Sequence, residues 1–96
     1  MIDIARKEFP DISTSISVTA NSDGGIRVEG YDVGEGVEKW FGRDDYEYWV
    51  DVPASEIRQL VLLLLAEKYK GNVDAVAEFR AYCEAKGIAH KFMTWS

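Results

Sequence analysis

The sequence holds one cysteine, one histidine and two prolines, and it has no long apolar run. Each scarcity excludes something. A single thiol, Cys83, rules out an internal disulfide, and an unpaired thiol fits a reducing cytosol better than a secreted framework. The longest apolar stretch, Leu60–Ala66, falls far short of the roughly 20 residues that cross a bilayer. The opening MIDIARKEFP carries mixed charge and no apolar h-region, so it does not read as a signal peptide. These features point to the cytoplasm and to no membrane partner. Basic residues are also scarce, with 11 Lys and Arg against 17 Asp and Glu. No cluster of them is available to neutralise phosphates, which argues against direct nucleic-acid binding. Internal repeats, low-complexity tracts and interdomain linkers are absent, so the 96 residues are expected to form a single domain.

Motifs that would name a reaction are missing too. Gly34-Glu35-Gly36 lacks the spacing of a phosphate loop, and its flanking acids would repel phosphate. No nucleophile-elbow motif is present. Asp44-Asp45-Tyr46-Glu47 offers oxygen donors for a hard cation but lacks the Asp-x-Asp-x-Asp-Gly pattern, and the plainer reading is a solvated charged loop. Cys83 and His90 would need mutual hydrogen-bond reach and an orienting group to act as a nucleophile and base. The plainer reading is a core thiol and a strand histidine. The expectation is a non-enzyme without cofactor or metal.

What is present is a pattern of alternation followed by helical spacing. Ser15–Ala20 alternates Ile16, Val18 and Ala20 with polar residues, as a half-buried strand does. Asn21-Ser22-Asp23-Gly24-Gly25 supplies the positive φ of a tight hairpin. Ile26–Tyr31 alternates again and should pair with the first strand. Val37–Phe41 fits a strand or a helical turn, and the spacing of Val37, Trp40 and Phe41 favours the turn. Tyr46–Val52 is the strongest strand signal, with Tyr46, Tyr48, Val50 and Val52 on one face and Glu47, Trp49 and Asp51 on the other.

Pro53 stops that strand and can open a helix. Ile57–Tyr69 carries Ile57, Leu60, Val61, Leu64 and Leu65 at helical spacing. The plainer reading of its leucine run is core rather than a docking face. Gly71 closes it and Asn72 is a good N-cap for a second helix with Val73, Val76, Phe79 and Cys83 on one face, ended by Gly87. Ile88–Trp95 alternates and predicts a last strand. The first dozen residues are expected to be loosely held. The fold class expected is therefore α+β, a two-layer sandwich. A mostly antiparallel four-stranded sheet would carry a helical hairpin on one face, in the order ββ-turn-βααβ.

Charge is distributed unevenly. Residues 32–51 hold seven acids and two bases, whereas the final 45 residues carry a slight positive excess. Half of all aromatics, Tyr31, Trp40, Phe41, Tyr46, Tyr48 and Trp49, fall in or beside the same segment. Aromatic anchors rimmed by carboxylates suit recognition of a basic protein. The candidate contact residues are Glu35, Glu38, Trp40, Asp44, Asp45, Glu47, Trp49 and Asp51. Tyr46 and Tyr48 are assigned to the core instead, and Trp49 is expected to be exposed. In size, charge and the Asp32–Asp51 segment the chain resembles small acidic inhibitors of the anti-CRISPR and toxin-immunity kinds, without a residue-by-residue motif. That resemblance implies a non-catalytic protein that blocks a basic, nucleic-acid-handling protein or ribonucleoprotein complex. The alternative is a small enzyme or ligand-binding domain with a sheet–helix pocket containing His90 and Cys83.

Overall fold

The computed structural model describes residues 1–95. It is α+β, with a four-stranded antiparallel sheet and three helices. The strands are β1 (Ile2–Glu8), β2 (Ser13–Ala20), β3 (Ile26–Val33) and β4 (Asp45–Val52), and they lie in the sheet in chain order. Helix α1 spans Glu35–Phe41, α2 spans Ala54–Tyr69 and α3 spans Ala75–Lys86. The chain divides into two compact units, Met1–Val61 and Leu62–Ser96. No helix among the described residues is long and apolar enough to cross a membrane.

In the first unit the hairpin expected from Asp-Gly-Gly forms. Gly24 takes φ +88°, and the Asn21 amide donates to the Gly25 carbonyl at 2.8 Å. The resulting register sets Ile16 opposite Gly30, Val18 opposite Val28 and Ala20 opposite Ile26. On the other side of β3, Val28 faces Val50 and Glu29 faces Trp49. Because side chains alternate, one sheet face is apolar, with Ile16, Val18, Val28, Tyr48 and Val50. The other is polar, with Ser15, Ser17, Arg27, Glu29, Glu47 and Asp51. Tyr46 and Tyr48 lie on the apolar face as expected but are exposed rather than buried. Tyr48 also covers Gly30, where a Cβ would run into its ring.

Two expectations are corrected. Ile2–Glu8 pairs with β2 as an edge strand rather than lying loose. A register irregularity between Asp3 and Ala5 leaves Ile4 outside the alternation. That irregularity, with the mixed charges, hides the strand's period. Ile88–Trp95 is not a strand, so the fourth strand comes from the N-terminal end of the chain and the order is βββαβαα. Alternation reports an extended chain, not a paired one. Here the tail meets α3 instead of a ladder, with the Arg80 guanidinium 4.4 Å from the Phe92 ring centroid.

Helix α1 begins at the expected turn, two residues early. Its Gly34-Glu35-Gly36 start packs against Asp11 and Ile12, and the Gly36 amide donates to the Asp11 carbonyl at 3.0 Å. In the second unit α3 starts at Ala75, so Val73 precedes it and stays exposed. Asn72 forms a turn by accepting from the Asp74 amide at 2.9 Å rather than capping the helix directly. Gly87 ends α3 in the left-handed conformation expected of it. The buried apolar side chains among the described residues are Val37 in the first unit and Cys83 in the second, each 3% exposed.

Burial of Cys83 carries a direct expectation. A thiol reagent should modify the native protein at least about a hundredfold more slowly than the denatured chain, because modification waits for local opening. Equal rates in a stopped-flow labelling experiment would show the thiol to be open to solvent.

Candidate functional site: the acidic sheet face

β4 gathers half of the expected contact residues in one row. Asp45, Glu47, Trp49 and Asp51 alternate with the tyrosines and valines, so strand geometry alone places all four on the polar face. Trp49 is 51% exposed there, as expected of it. Glu35, Glu38 and Trp40 ride on α1, and Asp44 sits in the turn before β4. α1 meets β4 through the stacked rings of Phe41 and Tyr46, 4.3 Å between centroids. Tyr46 belongs to the apolar face, so that contact does not bring Glu35, Glu38 or Trp40 into the β4 row.

Within the row the four side chains are not equivalent. Asp51 receives two bonds from the Arg27 guanidinium, at 2.7 and 3.0 Å, and one from the Asn21 amide group at 3.2 Å. The bond from Arg27 holds the Asp51 carboxyl below its ordinary value of 3.8, with the Asn21 bond helping and desolvation opposing. Arg27 also lies 4.9 Å from the Trp49 ring centroid. One cation thus occupies both the carboxylate and the indole. Asp45 has a longer contact, 3.6 Å, with Arg43. Glu47 has no ion-pair partner among the described residues.

The Arg27–Asp51 pair sets a pH dependence. A carboxyl whose folded-state pKa is depressed contributes stability above its unfolded value, and that contribution is lost as pH falls through the folded value. Thermal melts of wild type and Asp51→Asn should therefore differ at neutral pH, with the variant less stable. The curves should converge in acid, once the pH falls below the depressed value of the folded Asp51 carboxyl. A gap that persists there would mean that Asp51 acts through something other than its charge.

The feature that local reading of the sequence misses crosses the strands. A shallow hollow of about 360 Å³ opens on the polar face, lined by Asp3, Ser15, Ser17, Glu29, Tyr31 and Glu47 together with Met1 and Gly30. Its side chains come from all four strands: Asp3 is opposite Ser17, Ser17 opposite Glu29, and Tyr31 opposite Glu47. Asp3, Glu29 and Glu47 have no ion-pair partner among the described residues. Strand register is the signal that finds them. Once the hairpin turn is located, Glu29 must share a face with Ser17 and Trp49.

Chemically, the hollow offers three carboxylates, two hydroxyls and a phenol. No group of three His, Cys, Asp or Glu among the described residues is close enough together to hold a metal ion. Dispersed acceptors of this kind match an extended organic cation, an ammonium or guanidinium group, better than a compact metal ion.

In the second unit, Cys83 and His90 do line one pocket of about 150 Å³, formed by α3 and the tail with Val76, Phe79 and Phe92. The ring nitrogens of His90 contact other groups. Its Nδ1 lies 2.7 Å from the Ile88 carbonyl and its Nε2 3.9 Å from Glu84. No hydrogen bond joins the thiol to the imidazole among the described residues.

Comparisons with protein-family models, with curated proteins and with solved structures find no match.

Proposed function

We propose that this chain is a non-catalytic, cytoplasmic acidic binding protein that inhibits or neutralises a basic, nucleic-acid-handling protein, in the manner of anti-CRISPR or toxin-immunity proteins. The observation that carries the reading is the hollow whose Asp3, Glu29 and Glu47 carboxylates have no ion-pair partner among the described residues. Unneutralised carboxylates on a sheet face draw in a lysine- or arginine-rich surface and discriminate against acidic ones. Trp49 beside them adds a stiff apolar contact of the kind that anchors interfaces. The partner's basic surface is the one it would otherwise turn toward nucleic acid.

The test is binding to a basic nuclease or ribonucleoprotein across a salt series. Affinity should fall steeply as ionic strength rises and screens the charges. Affinity indifferent to salt would overturn the reading. The competing reading, a small enzyme or ligand-binding domain using Cys83 and His90, is favoured by their shared pocket. It is overturned if the Cys83→Ser, His90→Ala double variant keeps full biological activity.

A further inference from the structure

The sheet has two edges, and they differ. β1 is interrupted by its irregularity at Ile4 and carries Arg6 and Lys7, two devices that discourage strand addition. β4 has neither. Asp45–Val52 pairs with β3 in one unbroken register and contains no Gly, Pro, Lys or Arg. Its residues are mostly aromatic or β-branched, types that suit a pleated strand. The backbone groups of β4 that point away from β3 have no hydrogen-bond partner among the described residues. A long, regular, unpaired edge is a template for another strand.

The charge pattern selects the strand. On the polar face β4 presents Asp45, Glu47, Trp49 and Asp51; on the other it presents Tyr46, Tyr48, Val50 and Val52. A second copy is a poor match. Two-fold pairing of β4 with itself, faces aligned, sets Glu47 opposite Asp51 in one of the two fullest registers and Asp45 opposite Asp51 in the other. Like charges directly opposite destabilise a pair.

We propose that the β4 edge accepts an extended segment of the partner as a fifth strand, in which Lys or Arg alternates with apolar residues. The basic side chains lie over Glu47 and its neighbours on the polar face. The apolar ones continue the row of Tyr48 and Val50. This rests on the acidic-face reading and adds to it a backbone ladder, which a purely electrostatic encounter does not require.

The probe is a capped eight-residue peptide alternating Lys and Val, followed by amide exchange and NMR at low salt. Bound peptide should slow exchange at alternate amides of β4 by at least about tenfold while leaving β1 unchanged. Two N-methylated forms sharpen the test, because each removes the peptide's donors on one side only. With the lysines over the polar face, either strand direction turns only one of the two sets of donors toward β4. One form should lose at least about tenfold in affinity and the other should keep it. Glu47→Lys should weaken the unmodified peptide by about tenfold.

Equal binding of both N-methylated forms with no protection of β4 would overturn the edge site while leaving the acidic-face reading intact. Failure of every peptide to bind would also overturn the edge site, and the acidic face would then stand or fall on its charge-reversal variants. Protected β4 amides in the free protein, together with a dimeric mass, would overturn the proposal in favour of a second copy.

Discussion

Replacing Gly34 by alanine should lower the stability of the sheet unit by about 2–5 kcal/mol, summing backbone strain and overpacking. Gly34 adopts φ +134°, a conformation that L side chains rarely take. A Cβ there would also collide with the Asp11 carbonyl. That carbonyl accepts from the Gly36 amide, and the Gly34 amide donates to the Asp44 carbonyl at 2.9 Å, so neither neighbour can move freely. Gly42 is the control. It too has positive φ, +73°, but a Cβ there meets nothing within 4 Å. Gly42→Ala should cost only about 1–2 kcal/mol, the price of the left-handed conformation. In denaturant melts of both variants, the excess loss at Gly34 measures the collision together with its more restricted backbone region, φ +134° and ψ 177°. Equal losses would mean that neither contributes. Since a domain of this kind has only about 5–15 kcal/mol in hand, the Gly34 variant is best measured in the cold or with stabilising salt.

The second large effect is on binding. Reversing Asp3, Glu29 and Glu47 together to lysine should weaken a basic target by at least about a hundredfold at physiological salt. Each reversal replaces an attraction with a repulsion worth roughly 1 kcal/mol or more near a protein surface. Stability should change little, because none of the three is buried or ion-paired among the described residues. Asp51→Lys makes an informative contrast. It removes a carboxylate already engaged by Arg27, so it should disturb the fold more and the affinity less per charge than Glu47→Lys. If Asp51→Lys matters most for binding, the Arg27–Asp51–Trp49 cluster, rather than the hollow, is the contact.

Much of the fold was legible because it is written in local periods. Ile16, Val18 and Ala20, then Ile26 and Val28, then Tyr46, Tyr48 and Val50 alternate strictly, and Asp-Gly-Gly locates the turn between β2 and β3. Gly87 marks a helix end by a conformation that other residues avoid. The misreadings have one physical origin. Periodicity reports local conformation, whereas strand partnership is a long-range choice. Ile88–Trp95 alternates yet finds no strand partner, and Ile2–Glu8 finds one despite a broken alternation. The site divides in the same way. Asp45, Glu47, Trp49 and Asp51 share a face because they share a strand, so counting along β4 was enough. Asp3 and Glu29 join Glu47 only through the pairing of four strands. Charge density along the chain pointed to Asp32–Asp51 and passed over them.

The most direct test of the acidic face is a comparative affinity capture. Wild type and the Asp3→Lys, Glu29→Lys, Glu47→Lys variant, matched for folding by circular dichroism, would be incubated with the same purified basic nuclease or ribonucleoprotein, and nuclease or nucleic-acid-binding activity would be read alongside capture. The expected result is that wild type captures the target and suppresses its activity, while the variant does neither. Capture and suppression by the variant at wild-type levels would contradict the account.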